Sequence, residues 1–378
     1  MNALDKDLSR WAEVTADTLR RLPGPGPVEA PPGPGALAAL EALRRDPPKR
    51  GERAAILIGG GEGARRLVAG LAAPRAPRLR LAGIFDDREE DREPAAPGVP
   101  RLGSVDEVIA FARAAEVDLI VMTLPLTAER RILSLLRRLW VLPAEIRLSA
   151  YSQDFSGREF ALDDGPLIPA LRKPIPRFGR AVKRAMDVVL SAFGLVLAAP
   201  VMAAAALAVR LSGPGPILFR QRRQGLNHGE FEVLKFRTLH HVQADPTARK
   251  LVTKDDPRVT RPGRWLRRTS LDELPQLWNV LKGEMSLVGP RPHAVGARSS
   301  QQETFDQIVD GYSGRHRVRP GLTGLAQVEG WRGEVDNALS LRRRFEADLR
   351  YIDGWSLWLD VKIVLATPWA LVKTSKAY

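Results

Sequence analysis

Two adjacent carboxylates, Asp272 and Glu273, lie in the run Arg267-Arg268-Thr269-Ser270-Leu271-Asp272-Glu273-Leu274-Pro275-Gln276. A further basic motif, Val288-Gly289-Pro290-Arg291-Pro292, follows shortly after. An ionised carboxylate can attack phosphorus and form an acyl phosphate. Adjacent carboxylates can also hold Mg²⁺, which bridges to substrate phosphates. The segment therefore indicates covalent phosphoryl transfer.

Helix capping is the competing interpretation of this pair. Ser270 and Glu273 have the spacing of a capping box. Alternatively, Asp272 is itself the N-cap and Pro275 lies in the first turn, where a missing N–H has no cost. In both cases the carboxylates lie in a first helical turn, where the helix dipole favours their ionised form.

A second basic segment, Phe231-Glu232-Val233-Leu234-Lys235-Phe236-Arg237-Thr238, has the pattern of a strand. Its alternation places Lys235 and Arg237 on one face. Two cations on one face suit a diphosphate, although a solvated basic face has the same pattern.

The composition narrows the class of partner. The chain has 378 residues, enough for two or three domains, and a formal net charge of +14, which favours an anionic partner. Aromatic residues make up only 6% of the chain, and we find no nucleic-acid-binding motif, so we expect no nucleic-acid partner. The absence of cysteine excludes thiolate chemistry and disulfides.

Residues 1–50 are predicted to be an N-terminal extension with a short amphipathic helix, Leu8–Leu22, and a Pro/Gly-rich linker. Residues 51–150 have the pattern of a Rossmann-like βαβ unit: a strand, the Gly59–Gly63 turn, a helix, and an acid after the next strand. Gly59 and Gly61 would admit a phosphate, and Asp86 or Asp87 would accept from a ribose hydroxyl. The same pattern fits a scaffold that binds no nucleotide.

Residues 151–180 are predicted to be a linker before a further domain at 181–378. From Val188 to Val209 there is no charged residue, a length of roughly 33 Å as a helix. Cations flank this segment on both sides, and Pro200 interrupts it. We predict a re-entrant membrane helix over about 186–211 that breaks at Pro200, because both neighbouring domains have cytosolic features. A buried core helix and a simple transmembrane span remain alternatives.

The ordered motifs of residues 180–378 resemble the bacterial polyprenyl-phosphate sugar-1-phosphate transferases, membrane enzymes that start exopolysaccharide and O-antigen assembly. The motifs that carry the resemblance are Lys183-Arg184-Ala185-Met186-Asp187, Gly213-Pro214-Gly215-Pro216, Lys235-Phe236-Arg237-Thr238, Asp256-Pro257-Arg258-Val259-Thr260, Ser270–Gln276, Val288–Pro292 and Arg319–Gly324. The fold that this resemblance implies is α/β, with a Rossmann-like domain before a monotopic membrane phosphoglycosyl transferase domain.

The resemblance implies that Asp272 is the nucleophile and Glu273 its partner in a Mg²⁺-dependent dyad, with the division of metal ligands left open. It also implies five phosphate or nucleotide contacts: Lys235, Arg237, Arg258, Arg267 and Arg291. The implied reaction moves a sugar 1-phosphate from a UDP-sugar to undecaprenyl phosphate with release of UMP. The implied location is the cytosolic face of the bacterial inner membrane.

The C-terminal third resembles the branch that transfers glucose 1-phosphate, while galactose and N-acetylhexosamine remain alternatives. Trp355, Trp358 and Trp369 flank an apolar run that fits either a membrane-interface helix or core packing. The competing functions are a soluble NAD-dependent nucleotide-sugar enzyme and a non-catalytic membrane scaffold. For the βαβ domain, regulation and homodimer formation are both left open.

Overall fold

The computed structural model describes residues 29–71, 78–87, 98–149, 167–240, 256–295, 304–331 and 338–374, together with the single residues 19, 21, 27 and 96. The chain divides into two compact units, Met1–Lys173 and Pro174–Tyr378. The predicted helix Leu8–Leu22 lies outside the described residues except at Leu19 and Arg21.

The first unit is built on a six-stranded sheet with the order β3-β2-β1-β4-β5-β6. The first five strands are parallel, and β6 pairs antiparallel with β5. The strands are β1 Arg53–Ile58, β2 Leu79–Phe85, β3 Arg101–Gly103, β4 Leu119–Met122, β5 Glu145–Ser149 and β6 Leu167–Leu171. This order, with a crossover between β1 and β4, confirms the α/β class predicted for this part of the chain.

Four described helices accompany the sheet: α1 Pro34–Arg45, α2 Glu62–Gly70, α3 Val108–Ala114 and α4 Glu129–Leu139. Helix α1 contacts β2 and β3 and buries Ala36, Ala39 and Leu40. The prediction that residues 1–50 are only an extension and linker is therefore wrong for α1. The spacing of its apolar residues gives an amphipathic helix, which packs its apolar side against the sheet of this domain.

Strand β6 corrects the predicted linker at 151–180. Leu167 and Leu171 are buried, and the strand forms the edge of the sheet beside β5. Pro169 misled the sequence interpretation, because a proline is usually a sign of irregular structure. In an edge strand, proline can occupy a position where no N–H is needed for a hydrogen bond to a neighbouring strand.

The glycine turn after β1 is held by the residues that were predicted to bind a nucleotide. Gly59 and Gly61 have positive φ angles of 91° and 93°, a conformation that favours glycine. The Gly60 N–H donates to Asp86 Oδ2 at 2.6 Å. Asp87 accepts from the Val105 N–H at 2.8 Å and pairs with Arg131. Both acids thus have partners within the domain.

The second unit contains the long helix α5 (Arg177–Leu211), a two-stranded hairpin, a second small sheet and a series of helices. These are β7 Leu218–Gln224, β8 Glu230–Phe236, α6 Arg261–Thr269, α7 Gln276–Lys282, β9 Ser286–Val288, α8 Phe305–Ile308, β10 Gly321–Thr323, α9 Leu325–Val328, α10 Ala338–Asp353 and α11 Leu357–Thr374.

Helix α5 is tied to this unit near its first turns by a buried ion pair. Lys183 Nζ donates to Asp360 Oδ2 of α11 at 2.7 Å and to the Val288 carbonyl at 3.0 Å. Tyr351 donates to the other Asp360 oxygen at 2.7 Å. The neighbouring Arg184 donates to the carbonyls of Val280 and Leu281 at the end of α7.

The last turns of α5 return to the same unit. Ala205 and Val209 pack against Phe236 and Leu266 in a small apolar cluster. Between these two attachments the apolar side chains face outward, including Phe193, Val196 and Leu197, each at least 66% exposed. Within the described part of the chain, α5 is the helix long and apolar enough to cross a membrane.

Pro200 lies inside α5, and the helix runs through it without interruption. The predicted break into two helical segments is therefore not a boundary in the structure. Although Pro200 has no N–H to donate to the preceding turn, the hydrogen bonds of the surrounding residues maintain the helix across it.

Helix α11 distinguishes between the two interpretations of the C-terminal tryptophans. Trp358, Leu365 and Trp369 are 63%, 64% and 73% exposed, whereas Asp360 and Ile363 are buried. Core packing against the unit therefore does not account for the apolar pattern of this helix.

We predict that Lys183→Met lowers the free energy of unfolding by about 3–5 kcal/mol, because it leaves the Asp360 carboxylate buried without its cation. The unfolding temperature of the detergent-solubilised chain should fall by on the order of 10 °C. The control is Arg220→Gln, which removes an exposed pair with Glu232 and should change stability by less than about 1 kcal/mol. Equal unfolding temperatures for the two variants would contradict the role of the buried pair.

Candidate active site

The carboxylate pair lies in a short turn between two helices. Helix α6 ends at Thr269, and Ser270 adopts a left-handed conformation with φ of 58°. Residues Leu271–Glu273 form a 3₁₀ turn, after which α7 begins at Gln276. This reversal brings both carboxylates against strand β8.

Both predicted capping arrangements are wrong. Ser270 makes no side-chain capping bond to the turn, and its left-handed backbone differs from the extended backbone of a usual N-cap. Pro275, rather than Asp272, occupies the N-cap position of α7. The two carboxylates do lie in the first turn of the 3₁₀ segment, as predicted.

Glu273 is held by two cations. Lys235 Nζ donates to Glu273 Oε1 at 2.8 Å. The Arg291 guanidinium binds both carboxylate oxygens, with Nη1 donating to Oε2 at 3.1 Å and Nη2 to Oε1. Glu273 is 8% exposed, so this is a buried, charge-compensated cluster.

Asp272, the preceding residue, is similarly buried at 9% exposure but accepts no hydrogen bond from the residues that the structure describes. Burial, together with the charge of the adjacent Glu273, raises its pKa to about 6. Lys235, Arg267 and Arg291 oppose this shift. Burial therefore moves the pKa of Asp272 in the opposite direction from the shift expected of the helix dipole, but the carboxylate is still mostly ionised at neutral pH.

Arg223 is a site residue that sequence reasoning missed. The sequence indicated Arg223 only as one of the cations that follow the apolar segment. In the structure, the charges of Arg291 and Glu273 both shift its pKa. Burial and Arg291 lower its pKa to about 10. The Arg223 guanidinium donates to the Pro292 carbonyl at 2.8 Å, which helps to hold the loop that carries Arg291. Burial likewise lowers the pKa of Lys235.

The remaining predicted phosphate contacts separate into two groups. Arg267 is half-buried, its charge lowers the pKa of Asp272, and its guanidinium makes no ion pair or hydrogen bond with any described residue. Arg258 instead forms a bidentate pair with Asp256, with Nη2 at 2.6 Å from Oδ2. Arg237 donates to the carbonyls of Val209, Gly213 and Pro214 at 2.6–3.0 Å.

The end of strand β8 at Phe236 explains why Lys235 and Arg237 have different surroundings. Lys235 lies in β8, whereas Arg237 follows the end of the strand at Phe236. The expectation of one shared cationic face is therefore not met. Lys235 contacts the carboxylate pair, and Arg237 binds the end of helix α5.

Asn279 fixes the distance between the lysine and the carboxylates. Its side-chain amide donates to the Glu232 carbonyl at 2.6 Å, and its Oδ1 accepts from the Leu234 N–H at 3.0 Å. These two bonds join α7 to β8 one residue before Lys235. Asn279 is fully buried, so the join is shielded from water.

Behind Arg291 lies a buried polar cluster. Arg315 donates to the Arg291 carbonyl at 2.7 Å and pairs with Asp348 at 2.7 Å. His293 faces Arg315 on one ring nitrogen and Arg344 on the other, and burial lowers its pKa well below the usual value. This cluster fixes the backbone that presents Arg291 to Glu273.

The donor set would suit a Mg²⁺ ion held mainly by substrate and water. Such ions commonly take only one or two protein carboxylates and keep several waters. Asp272 offers unpaired carboxylate oxygens, whereas the oxygens of Glu273 already accept from two cations. Among the described residues there is no group of three or more acidic or histidine ligands, so the protein would not enclose the ion.

Comparison with known proteins places this unit in a family. The bacterial sugar transferase family matches residues 178–374, which include all but the first residue of the long helix, the carboxylate pair and the cations around that pair. The chain belongs to the bacterial sugar transferase family. A CoA-binding domain family matches residues 36–150, the region of the parallel sheet.

Individual relatives cover the chain to different extents. The undecaprenyl-phosphate glucose phosphotransferase of Komagataeibacter xylinus is 39% identical over 324 residues, which is 84% of this chain and 59% of the relative. A UDP-glucose:undecaprenyl-phosphate glucose-1-phosphate transferase of Caulobacter vibrioides is 48% identical over 206 residues, 54% of this chain and 75% of the relative. An N-acetylgalactosaminephosphotransferase of Aeromonas hydrophila that acts on undecaprenyl phosphate is 39% identical over 204 residues, 54% of this chain and 45% of the relative. The chain spans about three fifths of the length of the relatives that match most of it.

We predict that Asp272→Asn stabilises the chain at pH 7.5 by up to about 3 kcal/mol. The folded-state pKa of about 6 exceeds the reference value of 3.8, so ionisation of Asp272 costs folding free energy increasingly from pH 4 to 6 and fully above pH 6. The gain should vanish below about pH 4. The measurement is denaturant unfolding against pH with Mg²⁺ chelated.

The matched variant is Glu273→Gln, which should instead lower stability at pH 7.5 because Lys235 and Arg291 lose their shared carboxylate. An Asp272→Asn chain no more stable than wild type at pH 7.5 would show that Asp272 is not an uncompensated buried charge.

Proposed function

We propose that this chain transfers glucose 1-phosphate from UDP-glucose to undecaprenyl phosphate and releases UMP. The observation that carries the proposal is the unequal carboxylate pair: both oxygens of Glu273 accept from cations, while the buried Asp272 beside it accepts no hydrogen bond from the described residues. The names of the relatives, which describe this reaction for proteins up to 48% identical, support the same substrates.

In the first step an Asp272 carboxylate oxygen attacks the phosphorus that bears the sugar. A bond forms between that oxygen and phosphorus, and the bond from phosphorus to the bridging oxygen breaks, so that UMP leaves. In the second step an oxygen of undecaprenyl phosphate attacks the same phosphorus, and the bond to Asp272 breaks. The products are undecaprenyl-diphosphate-glucose and free Asp272.

The described cations offset the repulsion between anions during both steps. The Arg267 guanidinium makes no ion pair with any residue that the structure describes, so it can bind a phosphate oxygen beside Asp272. Lys235 and Arg291 lower the pKa of Asp272 and so favour its nucleophilic form. When bound, Mg²⁺ would add further charge compensation at the phosphates, with Asp272 as ligand and Glu273 close by. Arg237 and Arg258 contribute indirectly, by stabilising the structure around the site, because their guanidinium groups bind protein oxygens.

The attachments of α5 support a re-entrant arrangement on one membrane face. Lys183 near the start of the helix and Val209 near its end both bind the same compact unit. The stretch between them exposes apolar side chains. A helix held at both ends by one unit would enter the bilayer and return, with bending at Pro200, and α11 would rest in the interface through Trp358 and Trp369. The cytosolic face of the inner membrane, where the nucleotide sugar is available, is the proposed location.

An alternative donor carries an N-acetylated sugar. The Aeromonas hydrophila relative has 39% identity over much of the same unit and is named for N-acetylgalactosamine. The N-terminal domain retains the proposed nucleotide-type turn at Gly59 and Gly61, but Asp86 already binds the Gly60 amide, which favours a scaffold or regulatory role. Homodimer formation through this domain stays a prediction.

We predict that Asp272→Asn lowers UMP release by at least about 10³-fold in membranes supplied with undecaprenyl phosphate, Mg²⁺ and UDP-glucose, because the covalent route is lost. Without undecaprenyl phosphate, wild-type protein should release one UMP per chain and carry one sugar phosphate, detected by intact mass spectrometry. The control is Asp310→Asn, which alters an exposed carboxylate. Full activity of Asp272→Asn would refute the assignment of Asp272 as the nucleophile. If no UDP-sugar in a panel of such donors gave UMP release, the assignment of the chain as an enzyme would be refuted.

We predict that single cysteines at Arg180 and Pro216, both exposed positions on either side of the apolar stretch, react with a membrane-impermeant maleimide from the same side. The chain has no native cysteine, so each label reports one position. The measurement is labelling of intact spheroplasts against inverted vesicles. Labelling of the two positions from opposite sides would establish a simple transmembrane span.

A further inference from the structure

Helix α6 carries an exposed face that the proposed reaction does not use. Arg261, Arg264, Trp265 and Arg268 are spaced at i, i+3, i+4 and i+7, so they share one side of the helix. All four are exposed, and the Trp265 side chain is 57% exposed. We call these four residues the arginine–tryptophan face.

The arginines of this face have no acidic partners among the described residues, and the first turn of α6 contains no acidic residue. Strand β7 provides the contrast. Its exposed Arg220 and Arg222 lie 3.3 and 3.7 Å from Glu232 and Glu230, so their charge is compensated within the hairpin. The arginine–tryptophan face therefore presents three positive charges around an aromatic ring, with no acidic side chain from the described part of the chain to compensate them.

The opposite side of α6 fixes where this face lies. Gly263 and Leu266 are buried, and Leu266 packs in the same cluster as Ala205 and Val209 of α5. Helix α6 is therefore attached to the end of the helix whose apolar side chains face outward. Once that apolar stretch lies in a bilayer, α6 is held beside the bilayer surface.

Both residue types on the face suit that position. Tryptophan is enriched at the level of lipid headgroups, where its ring meets both apolar and polar surroundings. Arginines near the surface are attracted to the negative potential of anionic lipids. Neither a water-facing role nor a protein core requires an exposed indole between three exposed guanidinium groups.

We propose that the arginine–tryptophan face binds the headgroups of anionic phospholipids and selects them over zwitterionic ones. The proposal rests on the membrane location given in the proposed function, but not on the reaction. Arg267 lies between this face and the buried side of α6, and the helix leads into the turn that carries Asp272. Headgroup binding would thus hold Arg267 and the carboxylate pair close to the level at which a lipid phosphate lies.

The test measures quenching of Trp265 in the full chain in phosphatidylcholine nanodiscs. The discs contain brominated phosphatidylglycerol or brominated phosphatidylcholine at equal mole fraction, and subtraction of a Trp265→Phe chain isolates the Trp265 signal. Brominated phosphatidylglycerol should quench Trp265 at least about twofold more than brominated phosphatidylcholine at low salt, and the difference should shrink as salt rises.

The triple variant Arg261→Gln/Arg264→Gln/Arg268→Gln should bring the two quenching values together. The matched control Arg220→Gln/Arg222→Gln removes two exposed arginines that have acidic partners and should keep the wild-type preference. Equal quenching in wild type, retained preference in the triple variant, or no quenching by either lipid would each overturn the proposal. UMP release from the same nanodiscs tests the transfer reaction separately. The lipid-binding proposal and the proposed reaction can therefore fail independently of each other.

Discussion

The binding of Glu273 by Lys235 and Arg291 is the interaction on which the rest of the site depends. These cations would otherwise be available to the neighbouring Asp272, and a carboxylate in a tight ion pair is a weak nucleophile. Because Glu273 takes their hydrogen bonds, Asp272 receives their electrostatic support without direct pairing. Two chemically similar residues, adjacent in sequence, thereby acquire different properties from their surroundings alone.

Much of the second unit serves to keep that ion-pair cluster in place. Asn279 joins α7 to β8, so the carboxylates and Lys235 keep a fixed separation. Arg315 and Arg223 bind the backbone on either side of the Arg291–Pro292 peptide. Each of these contacts satisfies a buried backbone group with a charged or amide side chain, which makes the arrangement costly to distort.

The sequence predicted features whose signals are local. Strand β2 and the glycine turn after β1 follow directly from apolar runs and glycine spacing. Strand β6 was missed because a proline obscured a short edge strand, and the capping predictions failed because the left-handed Ser270 leaves no pattern in residue types. Site residues divide in the same way. The carboxylate pair was visible as adjacent acids, whereas the partners of Arg237 and the role of Arg223 depend on segments distant in sequence.

Arg237 binds the Val209 carbonyl in the last turn of helix α5, and this contact has a mechanical consequence. Arg237 follows Lys235 by only two residues, so the strand that supports the nucleophile is fastened to the end of the membrane helix. On the proposed topology, the depth of that helix would then set the height of the reaction centre above the hydrocarbon. A lipid acceptor would not need to be lifted out of the bilayer. Instead, bilayer thickness itself would become a variable of the catalysed reaction, because thinning or thickening would raise or lower the reaction centre relative to its acceptor.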